Sequence, residues 1–322
     1  MSMSRAQLIP LGAGVVAALL HLSVTLGSPG APTLMIFSQA PIAATGLALG
    51  FMPAAVAAAF AAILVAIGSP TSGGLTLYIT VSAIPILLIV YFALKSDRPE
   101  NHAEEKTQPI EWYPVGKILG SLAAYALAVI FVSFLTFIGS EAEVRELINA
   151  EIGVLTDVLR GLGATPQAID QAVGRMVLFV PSTLASFWFL LSILNAVLAQ
   201  RILTSKGRNI RPKPDYSQIE APIWLAAAII LGISMTFIGG NLRFLGINVL
   251  FVASIPFFFI GLAVLHSISA AWPGRVILLA AVYLFLVLLL WPAAMIALLG
   301  ILEYWLRLRD RMQARHSNKG NE

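Results

Sequence analysis

Polar residues set inside long apolar runs are the places where this chain has material for chemistry. His21, Gln39, Tyr78, Arg243 and Asn248 are the main ones, with Asn241 just ahead of the last two. An imidazole, two amides and a phenol offer hydrogen-bond donors and acceptors without a negative charge. That set suits a polar, hydrogen-bonding solute better than a metal ion, because no carboxylate or thiolate lies nearby in sequence. No residue is therefore assigned to a metal, and no cofactor is expected. Laid along the helices, His21, Gln39 and Asn248 fall at similar depth and are expected to face one another in an outward-opening cavity. A second pair, His266 and Glu303, lies near the ends of two later runs, where the two side chains are candidates to bond at the cytoplasmic face. Separate helix-to-helix hydrogen bonds are the alternative for all of these residues, and the sequence leaves it open.

Motifs that are missing narrow the chemistry further. There is no Cys, which excludes disulfides, thiolate metal sites and a cysteine nucleophile. No G-x-x-x-x-G-K-[ST] phosphate loop, H-E-x-x-H or G-x-S-x-G occurs. An enzyme is not expected. Carboxylates inside membrane helices mark ion or proton pathways. The interiors of the apolar runs hold no Asp or Glu, and Glu303 sits only near the end of the last run. This argues against a carrier driven through a midplane carboxylate.

The elements that must position these residues belong to a membrane. The chain has 322 residues, 58% hydrophobic and only 11% charged, with a mean hydropathy of +0.87. An ordinary soluble domain carries about 25% charged residues. Ten apolar runs are read as helices, at 8–27, 33–50, 52–68, 74–94, 115–138, 172–202, 220–238, 245–271, 275–290 and 292–306. The first lacks an A-x-A cleavage site and is followed by further runs, so it reads as a span and not as a cleaved signal. The expected fold is all-α: a polytopic integral membrane helical bundle of about ten membrane helices in one transmembrane domain, 1–322. Residues 33–68 and 275–306 are each read as a hairpin, turning at Gly50-Phe51-Met52-Pro53 and at Trp291-Pro292. A single kinked helix is the alternative for each.

Charge sets the expected orientation. The net charge of +4 comes from Lys and Arg clustered beside apolar runs, which points to the positive-inside rule and not to nucleic acid. The loop 95–113 (Lys95, Arg98, Lys106), the loop 203–219 (Lys206, Arg208, Arg211, Lys213) and the tail 307–322 are placed in the cytoplasm. The acidic segment 139–171 is placed outside. With both hairpins counted as double crossings, the N and C termini are cytoplasmic, in a bacterial inner membrane. The external insert contains a short amphipathic helix, 141–162. Ser140 and Glu143 form a capping-box pattern. Val144, Leu147, Ile148, Leu155, Val158, Leu159 and Leu162 form its apolar stripe. Gly161 and Gly163 end it, and Thr165-Pro166 opens the next helix.

Small residues run in four-residue steps at Gly14/Ala18, Gly46/Gly50, Ala54/Ala58/Ala62 and Gly116/Gly120, spacing that lets helix backbones approach closely. Such stripes serve packing within the bundle or docking of other membrane proteins; the bilayer itself is the first partner. The closing helices carry a resemblance. Asn248 opens a run that reaches Gly261-Leu262-Ala263-Val264-Leu265-His266, and the last run ends Gly300-Ile301-Leu302-Glu303-Tyr304-Trp305-Leu306-Arg307-Leu308-Arg309. In layout and in these segments the chain resembles the YybS-like family of bacterial membrane proteins, a domain of unknown function. In that family an acidic residue, more often Asp, follows the last Gly; here it is Glu303. The family is in turn similar to the S components of energy-coupling-factor transporters, which bind vitamins and are driven by a separate ATPase module. The resemblance therefore implies a solute-binding transporter subunit. A non-catalytic scaffold for envelope or other membrane proteins is the competing implication.

Overall fold

The computed structural model describes residues 5–27, 30–97, 110–136, 141–148, 152–289 and 291–311. In chain order the helices are α1 (Arg5–Leu22), α2 (Ala31–Ile36), α3 (Ala40–Leu49), α4 (Phe51–Gly68), α5 (Ser72–Tyr78), α6 (Ile84–Leu94), α7 (Val115–Thr136), α8 (Glu141–Ile148), α9 (Gly153–Gly161), α10 (Pro166–Ser205), α11 (Ile223–Thr236), α12 (Gly240–Ile268), α13 (Arg275–Leu288) and α14 (Trp291–Leu306). A two-residue ribbon pairs β1 (Ser96–Asp97) with β2 (Glu111–Trp112). Among the described residues seven helical stretches are long and apolar enough to cross a membrane, and α11, α13 and α14 are shorter apolar helices. The chain divides into two compact units, one of residues 1–122 and 187–215 and the other of residues 123–186 and 216–322.

In the first unit, small residues set the spacing. A Cβ at Gly14 of α1 would lie 2.6 Å from the Ala57 carbonyl of α4, so that contact is open only to glycine. Ala17, Ala54, Ala57, Ala58 and Ala61 are buried, which spends these small-residue stripes inside the unit. The helix breaks at Gly50, whose φ of +105° disfavours any side chain. Beyond the break the chain folds back, because a Cβ at Gly46 would meet Ala54 at 3.0 Å across the turn. Residues 33–68 therefore form the expected hairpin. Its first arm is itself interrupted between α2 and α3, at Phe37–Gln39.

One end of this unit is gathered by Arg211. Its guanidinium donates to the Ala93 carbonyl at 3.2 Å and the Tyr113 carbonyl at 3.0 Å. The carbonyl of Arg211 accepts from Gln200 at 2.8 Å, and the Ile210 N–H donates to Leu47 at 3.0 Å. The end of α3, the end of α6, the start of α7 and the basic segment after α10 thus share one face of the unit. A buried arginine of this kind is held by satisfying its donors with carbonyls at helix ends.

In the second unit α12 is the central element, and glycines notch it to its neighbours. Gly232 of α11 and Gly246 of α12 face each other's backbone: a Cβ on the first would sit 2.9 Å from Leu250 N, and one on the second 2.8 Å from the Gly232 carbonyl. A Cβ on Gly261 of α12 would fall on the Ile296 carbonyl of α14, and one on Gly300 would fall on the Phe257 carbonyl. Gly261 and Gly300 thus face each other where α12 and α14 cross. Gly232 lies against Gly246 and Leu250, so α11 and α12 are antiparallel and α11 starts beside the later part of α12. Arg309, just beyond α14, donates to the carbonyls of Ser217 and Ile219, just ahead of α11. α14 therefore ends on the side where α12 ends, the direction that the expected second hairpin requires.

The insert between α7 and α10 is two amphipathic helices, α8 and α9, where one was expected. Val144 of α8 joins Ile169, Val173 and Val177 of α10 and Phe244 of α12 in a buried cluster, with Ile152 and Leu159 packed against it. Val158 and Leu162, expected on the same stripe, are exposed, because the division into two helices shifts the phase of the apolar face. α10 starts at Pro166 as expected, with the Ala168 N–H donating to the Thr165 hydroxyl at 3.2 Å as its cap. Ser140 lies outside the described residues.

Candidate functional site

A proline inside or near the start of a helix leaves the carbonyl four residues earlier without its usual N–H partner. Pro85, at the start of α6, does this to the Val81 carbonyl. The chain accommodates it with a π-helical turn, Ile79–Ala83, between α5 and α6. Such turns often mark functional positions. The amide of Gln39, in the interruption between α2 and α3, donates to the Val81 carbonyl at 3.3 Å. One turn earlier, the Tyr78 ring meets His21 of α1 edge-on, with centroids 4.9 Å apart and planes at 75°. Two residues beyond His21, the Ser23 hydroxyl donates to the Ala31 carbonyl at 3.0 Å and fixes the end of α1 against α2. Two of the sequence's candidate residues, His21 and Gln39, thus meet successive turns of one interrupted helix that carries the third, Tyr78.

Their polar atoms are not used up. His21, Gln39 and Tyr78 are 5%, 3% and 0% exposed. His21 Nδ1, Gln39 Oε1 and the Tyr78 hydroxyl find no hydrogen-bond partner among the described residues. Each such group costs about 1–3 kcal/mol when buried unpaired, so three in one place call for an explanation. Asn195 of α10 adds a fourth. It donates to the Ile36 carbonyl at 2.8 Å, which the break after α2 leaves free, while its own Oδ1 is unpaired. The sequence reading missed Asn195. The available signal was an amide in an apolar run, the same signal that picked out Gln39.

The remaining candidates lie elsewhere. Asn248 belongs to the second unit, and its amide is fully engaged. Its Oδ1 accepts from Ser182 N at 2.8 Å, and its Nδ2 donates to the Leu178 carbonyl at 3.1 Å and the Phe244 carbonyl at 2.8 Å. Ser182 N and Leu178 O would pair with each other in an unbroken helix. Next to Pro181 the Asn248 amide stands between them and supplies a partner to each. Arg243, one turn earlier, is exposed. His266 bonds the Tyr283 hydroxyl at 2.8 Å. Glu303 instead meets Arg309 Nε at 2.7 Å and the Leu308 N–H at 2.7 Å. The His266–Glu303 pair expected from sequence is thus replaced by two separate ones.

Interrupted helices lined by buried hydrogen-bonding groups define a class, the all-α polytopic membrane proteins, and within it the chain has a family. The family model described as Predicted membrane protein (DUF2232) matches residues 15–302, and the chain belongs to that family. No curated protein and no solved structure matches it.

Proposed function

We propose that this chain is a non-enzymatic, solute-binding membrane protein, similar in role to the S component of an energy-coupling-factor transporter. The site is His21, Gln39 and Tyr78, with Asn195 nearby in the same unit. The observation that carries this reading is the set of buried, unpaired polar atoms at a point where two apolar helices are interrupted. Irregular backbone at membrane depth is tolerated where it is enclosed by protein or lines a cavity, and transporters place their sites at such breaks. The group types define the solute. An imidazole, a carboxamide oxygen and a phenol make a neutral site, so the solute is neutral and carries at least one donor and one acceptor.

The orientation is proposed to follow the basic segments, with 95–113 and 203–219 in the cytoplasm of a bacterial cell. Arg211 supports placing both on one side, since it bonds the carbonyls of Ala93 and Tyr113. In the second unit, Arg309 donates to the carbonyls of Ser217 and Ile219, which supports placing the start of the tail beside the same segment. Reporter fusions after residues 100 and 210 are then expected to read cytoplasmic.

The test is to purify the full chain in a mild detergent and identify released small molecules by mass spectrometry. The expected result is a neutral polar compound, lost in the combined variant Gln39→Leu/Tyr78→Phe and retained in Arg243→Gln. If no small molecule is released from the wild type and a membrane protein accompanies it instead, the scaffold reading replaces this one.

A further inference from the structure

The insert between α7 and α10 and the start of α10 line an open recess of about 340 Å³ in the second unit, independent of the site above. Arg145 of α8, Arg160 of α9 and Asp170 of α10 line it, and Ile169 and Val173 supply apolar wall. Those two apolar residues belong to the buried cluster beneath the insert, so the wall is fixed by core packing. Both guanidinium groups are already oriented. Arg145 Nη2 pairs with Asp170, and Arg160 Nη1 pairs with Asp157 at 2.7 Å. A guanidinium carries five N–H donors, and these ion pairs engage one nitrogen of each arginine. Two preset cations therefore stand beside an apolar recess.

We propose that this recess binds the phosphate headgroup of an anionic membrane lipid, with the start of an acyl chain against Ile169 and Val173. Guanidinium groups match phosphate oxygens in a forked geometry that a single ammonium does not offer. The volume falls within the range of small-molecule sites and exceeds what a bare phosphate fills. The location agrees, because α7 and α10 both contain candidate membrane spans and the insert joins their ends. Arginines beside the end of a membrane span can reach anionic lipid headgroups. Each arginine is balanced by one aspartate, so the attraction comes from the guanidinium N–H groups that the ion pairs leave over and not from net charge.

The experiment titrates the full chain, in a non-ionic detergent at low ionic strength, with short-chain phosphatidylglycerol, short-chain phosphatidylcholine and inorganic phosphate. Saturable binding of phosphatidylglycerol is expected, with phosphatidylcholine and inorganic phosphate weaker. Arg160→Gln is expected to weaken the phosphatidylglycerol affinity about tenfold, the scale of one charge-assisted hydrogen bond. Arg160 is largely exposed, so this variant keeps its fold where Arg145→Gln, which frees Asp170, could lose it. Equal affinity for the two lipids, binding of inorganic phosphate without a gain from the acyl chains, or unchanged affinity in Arg160→Gln overturns the proposal.

Discussion

Two prolines, Pro85 and Pro181, each disturb the hydrogen bonding of a helix, and in each case a carboxamide from elsewhere in the chain reaches the gap. The outcomes differ. At Pro181 the amide of Asn248 is used completely, accepting one hydrogen bond and donating two. At Pro85 the amide of Gln39 makes one bond, to Val81, and leaves its oxygen open beside the unpaired atoms of His21 and Tyr78. The first arrangement is complete as it stands and reads as a structural repair. The second has unused hydrogen-bonding capacity that the fold does not need, and a bound solute accounts for it. Residue type alone does not separate the two cases, since both are amides in apolar runs.

If the second unit is closed in this way, substitutions in it must be costly. Gly261→Val, which drives a side chain into the Ile296 carbonyl, is expected to remove at least about 3 kcal/mol of stability or to prevent folding. Chemical unfolding in mixed micelles measures it, and a variant as stable as the wild type would show that α12 and α14 are not in backbone contact. Glu303→Gln comes next. The Glu303 and Arg309 side chains are only 6% and 12% exposed, so removing the carboxylate strands a buried guanidinium at a cost of about 3 kcal/mol. The acidic position after the last glycine is on this account a clamp for the chain reversal at Arg307 and not part of a site. Asn248→Leu is smaller, about 2 kcal/mol, because it leaves Ser182 N–H and the Leu178 carbonyl without the partners they have now. A cost near zero would mean that the break at Pro181 closes without help.

Much of this was legible from the residues. Apolar runs of membrane length give the helices directly, and Gly50 gives the turn of the first hairpin. The polar exceptions His21, Gln39 and Tyr78 were visible because such groups are rare in apolar helices. Their grouping was not visible, because it depends on helix register and direction. Register is set by notches such as Gly14 on Ala57 and Gly261 on Ile296, where the absence of a side chain only acquires meaning beside its neighbour. The depth argument that joined Asn248 to His21 and Gln39 gave no weight to the carbonyls that proline sets free. Pairing each proline with an amide elsewhere in the chain would have suggested both repairs, though not which of them is incomplete. The π-helical turn before Pro85 has no sequence signature of its own.

Tyr78→Phe is the most direct test of the difference between the two breaks. The substitution keeps the ring against His21 and removes only a buried hydroxyl that no described residue satisfies. With any bound solute stripped from the protein, the variant is predicted to be more stable than the wild type by about 1 kcal/mol, because an unpaired buried group is deleted. A loss of 1 kcal/mol or more in that state would contradict the account: the hydroxyl would then be part of the fold's own bonding, and the His21–Gln39–Tyr78 cluster would be a structural repair like the one at Asn248.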